Sequence, residues 1–427
     1  MKHILFLVLL TILTLHASAQ CDETVSSGGY RGPDRNGIYP AENLLEQWPQ
    51  EGLKLLWTYD DLGPGWASAT IYGDTVYCIG GAPNGNLFAL DLETGKLKFK
   101  EYYGKEFTSR FDGTRSTPSV AEGKVVFSSG KKDERSIYCL DAKTGKTIWH
   151  VDGNKAFGGA SQGWGYNESP LIVGDKVVFM LRAKDRTTPP VVALDLETGK
   201  KVWAADPGPG DLSAGDNSIS LIRKDGKTVL VAHLWRAILG LDPETGKTLW
   251  SIKISKGTIV TPSYHDGYMA IGSYGGSNSL AVLKVDDPTK QPTELWKGGI
   301  DGISQVVTYD GKVFGLGQVV KDKKKSWAWK CFDAQTGKLI EAIPCMSDGS
   351  VVAADGMIFF VEGGERNWKQ ARIGAAKVTE SGMEKIGSFQ PLVGSKELWV
   401  SPTISAGRLF IRHGTRLSCY DLRRDSY

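Results

Sequence analysis

The stretch Ile238-Leu-Gly-Leu-Asp242-Pro-Glu-Thr-Gly246-Lys-Thr-Leu-Trp250 decides the fold, because variants of it recur along the whole chain. In each variant an apolar run ends in aspartate, a turn containing Thr-Gly-Lys follows, and a second apolar run ends in an aromatic residue. Glycine can take a positive φ in such a turn, and the aspartate oxygens can cap the turn. Two short apolar runs on either side of a glycine turn predict a β-hairpin.

The repeat has a regular period, which indicates one structural unit repeated around a closed or stacked array. The equivalent positions are Asp91, Asp141, Asp195, Asp242, Lys284, Asp333, Lys377 and Asp421. They are separated by 50, 54, 47, 42, 49, 44 and 44 residues, which is a period close to 47. In two of the eight copies lysine replaces the aspartate, and those copies are degenerate.

A second pair of apolar runs precedes each copy, as in Ser116-Thr-Pro-Ser-Val120 followed by Val125-Val-Phe127. Four strands at this period are typical of a propeller blade. The sequence therefore predicts an all-β protein, an eight-bladed β-propeller of four-stranded antiparallel blades. A ring of seven blades with one extra element is the alternative.

The two ends of the chain predict how the ring closes. The last copy stops after Asp421, so the eighth blade lacks its outermost strand. The run Leu53-Lys-Leu-Leu-Trp57-Thr-Tyr59 looks like that missing strand, with Trp57 at the tryptophan position. We expect this N-terminal strand to complete the last blade and to remove the open sheet edges.

The first residues predict export. Lys2 and His3 precede an apolar run from Ile4 to Leu15, and Ala17-Ser18-Ala19 offers small residues for cleavage. We therefore expect a signal peptide at 1–19, an N-terminal extension at 20–52 and the propeller at 53–427, in a periplasmic or secreted protein. Lipoprotein signals carry a small residue before the modified cysteine, whereas Gln20 precedes Cys21, so we expect no lipid anchor.

Composition and cysteine positions exclude several other classes. The formal net charge of +3 is too balanced to indicate a nucleic-acid partner, and no later segment has the length of a membrane span. Cys139, Cys331 and Cys419 stand at one repeat position, which is typical of a small buried residue. Neither a Cys-x-x-Cys motif nor a histidine spacing indicates a metal site, so we expect none.

The repeated phrase Leu-Asp-x-x-Thr-Gly-Lys-x-x-Trp resembles the PQQ-like β-propeller repeat over roughly residues 31–421. The opening Tyr30-Arg-Gly-Pro-Asp-Arg-Asn-Gly37, with Trp48-Pro49 and Leu56-Trp57 after it, is similar to exported bacterial PQQ-binding-like propeller proteins. This resemblance implies two functional branches. Quinoprotein alcohol dehydrogenases hold pyrroloquinoline quinone (PQQ) and calcium in the funnel, whereas BamB-like proteins are non-catalytic and help to assemble outer-membrane β-barrels.

The dehydrogenase branch carries adjacent cysteines over the quinone, and this sequence has no Cys-Cys pair. We therefore expect a BamB-like, non-enzymatic binding or scaffold protein without a cofactor. It is expected to be a monomer that binds a protein, a peptide or a small ligand on one propeller face. The alternative is a PQQ-dependent quinoprotein dehydrogenase that oxidises an alcohol or a sugar, with PQQ and calcium bound. Fold alone does not decide between these two uses.

Propellers place their binding residues on loops that precede the innermost strands. Those loops predict a polar, aromatic-lined funnel pocket built from Arg115, Trp164, Tyr166, Asn167, Glu168, Asn217 and Gln305. A guanidinium can grip a carboxylate or a quinone oxygen, an indole can stack on a planar ligand, and amide and carboxylate oxygens suit calcium. The structural alternative is that these groups bond to one another and to water around a solvated channel. The basic run Lys321-Asp-Lys-Lys-Lys325 is interpreted as a solvated hairpin tip that can meet an acidic partner.

Overall fold

The computed structural model describes residues 26–108, 113–130, 133–161, 165–206, 214, 217–254, 259–272, 280–300, 305–321, 323–346, 349–363, 368–392, 394 and 398–426. These residues form eight separate four-stranded antiparallel sheets, each of which is one blade. In blades one to seven the strands follow one another in chain order from the inner to the outer edge. The prediction of eight blades is confirmed, and the seven-bladed alternative is wrong.

The first four blades follow the chain without interruption. Blade one comprises β2 (Thr70–Tyr72), β3 (Thr75–Gly80), β4 (Asn84–Asp91) and β5 (Leu97–Lys105). Blade two comprises β6 (Ser119–Ala121), β7 (Lys124–Ser129), β8 (Ser136–Asp141) and β9 (Thr147–Asp152). Blade three comprises β10 (Leu171–Val173), β11 (Lys176–Met180), β12 (Val191–Asp195) and β13 (Lys201–Ala204). Blade four comprises β14 (Ser220–Lys224), β15 (Lys227–His233), β16 (Ala237–Leu241) and β17 (Thr248–Lys253).

The remaining blades continue the same order until the last. Blade five comprises β18 (Ser263–His265), β19 (Tyr268–Gly272), β20 (Leu280–Lys284) and β21 (Thr293–Lys297). Blade six comprises β22 (Val307–Tyr309), β23 (Lys312–Lys321), β24 (Lys324–Asp333) and β25 (Leu339–Cys345). Blade seven comprises β26 (Gly349–Ala354), β27 (Met357–Glu362), β28 (Arg372–Thr379) and β29 (Gly382–Phe389). Blade eight comprises β30 (Thr403–Ser405), β31 (Arg408–His413), β32 (Arg416–Asp421) and, as its outer strand, β1 (Leu55–Tyr59).

Strand β1 closes the ring as predicted. It pairs antiparallel with β32, with Tyr59 opposite Leu417 and Trp57 opposite Cys419. The short helical elements are α1 (Gly153–Phe157), η1 (Trp368–Gln370) and η2 (Arg424–Ser426). Within the described ranges, no helix is long and apolar enough to span a membrane.

Contacts within and between blades explain why the same residues recur in each copy of the repeat. Asp195 caps its turn, because its Oδ1 accepts hydrogen bonds from the Thr198 amide at 2.8 Å and the Thr198 hydroxyl at 2.6 Å. Gly199 has a φ of 68°, and a Cβ placed there would lie 2.7 Å from Cδ2 of Trp149 in the preceding blade. Glycine is therefore required at this position for two reasons: the backbone has a positive φ, and the neighbouring tryptophan ring leaves no room for a Cβ.

Each such tryptophan also bonds to the next blade. Trp149 Nε1 donates to the Leu196 carbonyl at 2.9 Å and the ring is 9% exposed. The same inter-blade bond is made by Trp57 to Leu92, Trp203 to Pro243, Trp250 to Pro288 and Trp296 to Ala334. The hydrophobic clusters accordingly lie between blades: one of them joins Cys139 and Trp149 of blade two to Val177 and Leu194 of blade three. Cys139, Cys331 and Cys419 are fully buried, as the repeat predicted.

Candidate functional site

The two ends of the ring differ in what covers them. We call the end where each inner strand begins the mouth face; it is formed by the loops before the inner strands and by the loops between the second and third strands of each blade. The opposite end carries the turns between the first and second strands. Every described residue of the predicted pocket belongs to a loop of the mouth face, because each precedes an inner strand.

Residues 26–39, which we call the plug, cross the central channel from the opposite end. Arg31 and Arg35 are both fully buried there. Arg31 donates to the Val351 carbonyl at 2.9 Å and to the Val306 carbonyl at 2.6 Å. Arg35 donates at 2.5 Å to the carbonyls of Ser169 and Pro170 and to the Ser119 hydroxyl. These two side chains therefore tie blades two and three to blades six and seven across the ring.

The plug backbone and one amide side chain extend this contact to other blades. The further bonds join Ser27 to Ile71 at 3.0 Å, Asp34 to Leu221 at 2.9 Å, Asn36 to Tyr264 at 3.0 Å and Gly37 to Ala353 at 2.7 Å. A cleft of about 370 Å³ beside the plug is lined by Asp34, Asn36, His265 and Asp266 among others. Since His265 and Asp266 belong to an inner-strand turn, the plug occupies the end of the channel remote from the mouth face.

A ring of polar side chains links neighbouring blades just inside the mouth. Successive backbone amides donate to the side-chain oxygen of the next blade, from Ser68 to Thr117 at 3.0 Å, Thr117 to Ser169 at 2.8 Å, Ser169 to Ser218 at 3.0 Å, Ser218 to Thr261 at 3.2 Å and Thr261 to Gln305 at 3.1 Å. Gln305 thus holds in blade six the position that serine or threonine holds in blades one to five. Asn217, also buried, donates from Nδ2 to the His233 carbonyl at 2.9 Å.

Glu168 lies in a buried ion pair with Arg135, a residue that the sequence did not single out. The Glu168 carboxylate contacts the Arg135 guanidinium and accepts from the Met180 amide at 2.7 Å, and both side chains are nearly inaccessible. Burial raises the pKa of Glu168, and the Arg135 charge opposes that rise. The guanidinium also lies 5.4 Å from the centre of the Tyr166 ring. Tyr166 Oη accepts from Asn154 Nδ2 at 2.7 Å.

A second carboxyl, Glu106, lies close by at the end of blade one. Its Oε1 accepts from the Tyr103 hydroxyl at 2.5 Å and from the Ser129 hydroxyl at 2.6 Å. Burial raises the pKa of Glu106 to about 7, although the Arg115 charge acts against that rise. Glu106, Arg115 and Tyr166 line a cavity of about 10 Å³, which is roughly the volume that one water molecule needs.

Arg115 and Asn167 form the accessible part of this cluster. Arg115 Nη1 donates to Asn167 Oδ1 at 3.2 Å, and its guanidinium lies 5.9 Å from the Phe107 ring centre. Both side chains are partly exposed. Between blades two and three these two side chains are polar and partly accessible, and they can receive a ligand with a carboxylate or an amide.

The structure therefore brings together four of the predicted pocket residues: Arg115, Tyr166, Asn167 and Glu168. Asn217 and Gln305 bond to the backbone of blades four and five instead. Trp164 lies outside the described residues. Among the described residues, no group of three or more histidine, cysteine, aspartate and glutamate side chains could hold a metal ion.

Two functional candidates were missed from the sequence. Glu106 follows β5 directly, at the start of the loop before blade two, so its place next to the end of the strand is the signal that marks it in the sequence. Arg135 precedes β8 and so lies on a loop between second and third strands, whereas the sequence prediction concerns the loops before inner strands. Blade-to-blade equivalence could also have shown that Gln305 replaces the linking hydroxyl.

Comparisons with known proteins agree with this architecture. Residues 113–338, just over half of the chain, match a PQQ-type family model described as outer membrane protein assembly factor BamB. Tetrathionate hydrolase of Acidithiobacillus ferrooxidans is 25% identical over 77% of this chain and 53% of its own length. Quinoprotein ethanol dehydrogenase of Pseudomonas aeruginosa is 31% identical over 47% of this chain and 32% of its own length. The chain thus spans about half, or less, of these curated relatives.

Solved structures show the same fold at low identity. Quinohemoprotein alcohol dehydrogenase from Comamonas testosteroni superposes with a TM-score of 0.64 and 13% identity, over 93% of this chain and 80% of that one. BamB from Moraxella catarrhalis superposes with a TM-score of 0.56 and 14% identity, over 86% of this chain and 99% of that one. At this identity the likeness concerns the propeller fold alone.

Proposed function

The chain belongs to the PQQ-type repeat family described as outer membrane protein assembly factor BamB, and on that premise we propose that it is an exported, non-enzymatic binding propeller. Its mouth face receives a protein, a peptide or a small ligand, and Arg115 and Asn167 are the side chains that contact it. The protein acts as a monomer in the periplasm or outside the cell, without a nucleic-acid partner.

The observation that carries this proposal is the state of the two carboxyl groups at the mouth. Glu168 is bonded to Arg135 and to the Met180 amide, and Glu106 is bonded to Tyr103 and Ser129. Calcium binds six to eight oxygen ligands, usually with carboxylates among them. Each carboxyl group would have to leave its own buried partners before it could bind the ion.

The volume of the cavity between Glu106, Arg115 and Tyr166 also supports the binding proposal. A volume of about 10 Å³ between Glu106, Arg115 and Tyr166 holds one water and excludes a tricyclic quinone. This cavity therefore does not fit a quinone with its calcium ion. Arg115 and Asn167 form an accessible polar rim on a rigid ring.

The choice of the mouth face rests on the plug. Because Arg31 and Arg35 fill the other end of the channel with bonds to several blades, a partner at that end would meet the plug and the cleft of about 370 Å³ beside it rather than the channel itself. The mouth face presents loops on a rigid scaffold, which is where propellers and other β-folds usually place binding residues.

A second candidate is a quinoprotein dehydrogenase, which the curated relatives favour. The 31% identity to quinoprotein ethanol dehydrogenase covers 47% of this chain. A bound quinone would supply the oxidising group for an alcohol. In this candidate Glu168 would exchange Arg135 for a metal ion.

Glu168→Gln tests the two candidates against each other. If the carboxylate is structural, the variant leaves the buried Arg135 charge without its partner and costs about 3–5 kcal/mol of unfolding free energy, with or without PQQ and Ca²⁺. The control is the double variant Glu168→Gln/Arg135→Met, which removes both charges and should recover part of that loss. If the variant keeps wild-type stability but loses a PQQ- and Ca²⁺-dependent rise in melting temperature, the binding proposal is wrong.

A further inference from the structure

One hairpin of the mouth face is much longer than its equivalents. The second and third strands of blades one, two, seven and eight pair over six positions counted from the repeat aspartate or its equivalent. In blade six the same pairing runs over ten positions, from Lys312 opposite Asp333 to Lys321 opposite Lys324. Four additional pairs at about 3.4 Å each extend the paired strands of blade six about 14 Å farther than those of blade seven.

The end of this hairpin has little support from the rest of the blade. The fourth strand, β25, ends at Cys345 opposite Trp327, and Trp327 packs partly into the adjacent core. Among the described residues, no third strand pairs with the last three pairs, which run from Val319 opposite Ser326 to Lys321 opposite Lys324. A two-stranded ribbon of this kind is marginally stable by itself, so its length is explained better by a contact than by packing.

The tip combines apolar exposure with positive charge. Val320 is 63% exposed, which exceeds every other large hydrophobic side chain of the described chain. Lys323, Lys324 and Lys325 are exposed, and none has an ion-pair partner among the described residues. Residues 321–325 contain four lysines and one aspartate, so the tip carries a net charge of +3.

We propose that this basic hairpin docks the mouth face on an anionic phospholipid surface, with Val320 at the headgroup boundary and the lysines among the headgroups. Lysines beside an exposed apolar side chain are the combination that interfacial segments use, and each lysine adds attraction without requiring a shaped partner surface. The inference rests on the proposed export and mouth face, and it names the surface that this face meets.

A lipid surface fits the hairpin better than a folded acidic protein does. A stable protein interface buries about 800 Å² on each partner, which three residue pairs at a ribbon tip do not supply. The paired strands of the hairpin also run about 14 Å farther than those of blade seven, so a contact at the tip by itself is small. A bilayer accepts the tip by itself.

The test is cosedimentation of the mature full chain with phosphatidylcholine vesicles, with and without about one third phosphatidylglycerol. Wild-type protein should bind only the anionic vesicles, and high salt should release it because exposed charges are screened. Lys323→Ser/Lys324→Ser/Lys325→Ser should lower the partition coefficient about 100-fold, at roughly fivefold for each lysine. Val320→Ser should lower it about fivefold.

The matched control is Lys146→Ser/Lys200→Ser/Lys247→Ser, which removes the same charge from exposed repeat turns at the opposite end. It should change the partition coefficient by less than about threefold, since those lysines lie away from the bilayer. Equal losses in the two triple variants, or no binding by wild type, would overturn the proposal. Retention on polyglutamate beads without vesicle binding would also overturn it and would assign the hairpin to an acidic protein. None of these measurements depends on PQQ, so the lipid-docking proposal and the proposed function can be overturned separately.

Discussion

The inter-blade contact between Gly199 and Trp149 gives the sharpest stability prediction. Gly199 and Gly123 have nearly the same backbone angle, with φ values of 68° and 69°. A Cβ at Gly123 would meet nothing within 4 Å, whereas a Cβ at Gly199 would lie 2.7 Å from the Trp149 ring. The pair Gly199→Ala and Gly123→Ala therefore separates backbone strain from loss of the tryptophan contact.

The expected magnitudes follow from these two geometries. Gly123→Ala should cost about 1–2 kcal/mol, the strain of a left-handed alanine. Gly199→Ala should cost the same amount and about 1–3 kcal/mol more, because the Trp149 ring must shift within a packed core. The bond from Trp149 Nε1 to the Leu196 carbonyl would weaken as well, at about 1 kcal/mol.

Equilibrium urea unfolding of the two variants measures the difference, provided that the slope m is unchanged. Repeating Gly199→Ala in a Trp149→Leu background completes the cycle, and there the alanine should cost no more than Gly123→Ala does. Equal destabilisation by Gly199→Ala and Gly123→Ala in the wild-type background would refute the reasoning, since the tryptophan would then not require glycine.

Two other predictions concern the mouth and the plug. Burial raises the pKa of Glu106 from 4.5 to about 7, so the folded state keeps a proton that the unfolded state has already released, and stability should fall by roughly 3 kcal/mol as pH rises from about 4.5 to 7. Glu106→Gln should remove that fall, and urea unfolding midpoints measured at the two ends of this pH range would show it. A variant whose stability falls with pH as much as that of the wild type would contradict the prediction. Arg35→Met should lower the free energy of unfolding by about 3 kcal/mol, because buried carbonyls such as that of Ser169 lose their donor. Arg223 is in an exposed ion pair with Asp34, so Arg223→Met should lower it by less than about 1 kcal/mol. Similar losses in these two arginine variants, measured by urea unfolding, would show that the plug does not brace the ring.

The fold could be predicted from the sequence because its determinants are local and repeated. The same spacing recurs in several blades for the residues equivalent to Asp195, Gly199 and Trp203. Each copy therefore predicts the same turn and the same inter-blade contact. Even the closing strand could be predicted, since Trp57 carries the blade signature at the far end of the chain.

The candidate site could be predicted only in part, because its contacts join residues that no repeat relates. Arg135 and Glu168 are 33 positions apart and lie in different blades, and a buried ion pair leaves no periodic pattern. The plug contacts are longer in range, as Arg31 bonds to residues 275 and 320 positions away. Arg31 and Arg35 belong to the opening motif, but their burial in the channel follows from the closed ring, which sequence spacing does not describe.

We propose above all that the mouth face binds a partner without quinone chemistry. Absorbance titration of the mature chain with PQQ in the presence of Ca²⁺, followed by dye-linked alcohol oxidation, tests it most directly. We expect no stoichiometric binding and no turnover, because Glu168 and Glu106 already have buried partners. Tight one-to-one binding with turnover would contradict the account and would make this propeller a quinoprotein dehydrogenase.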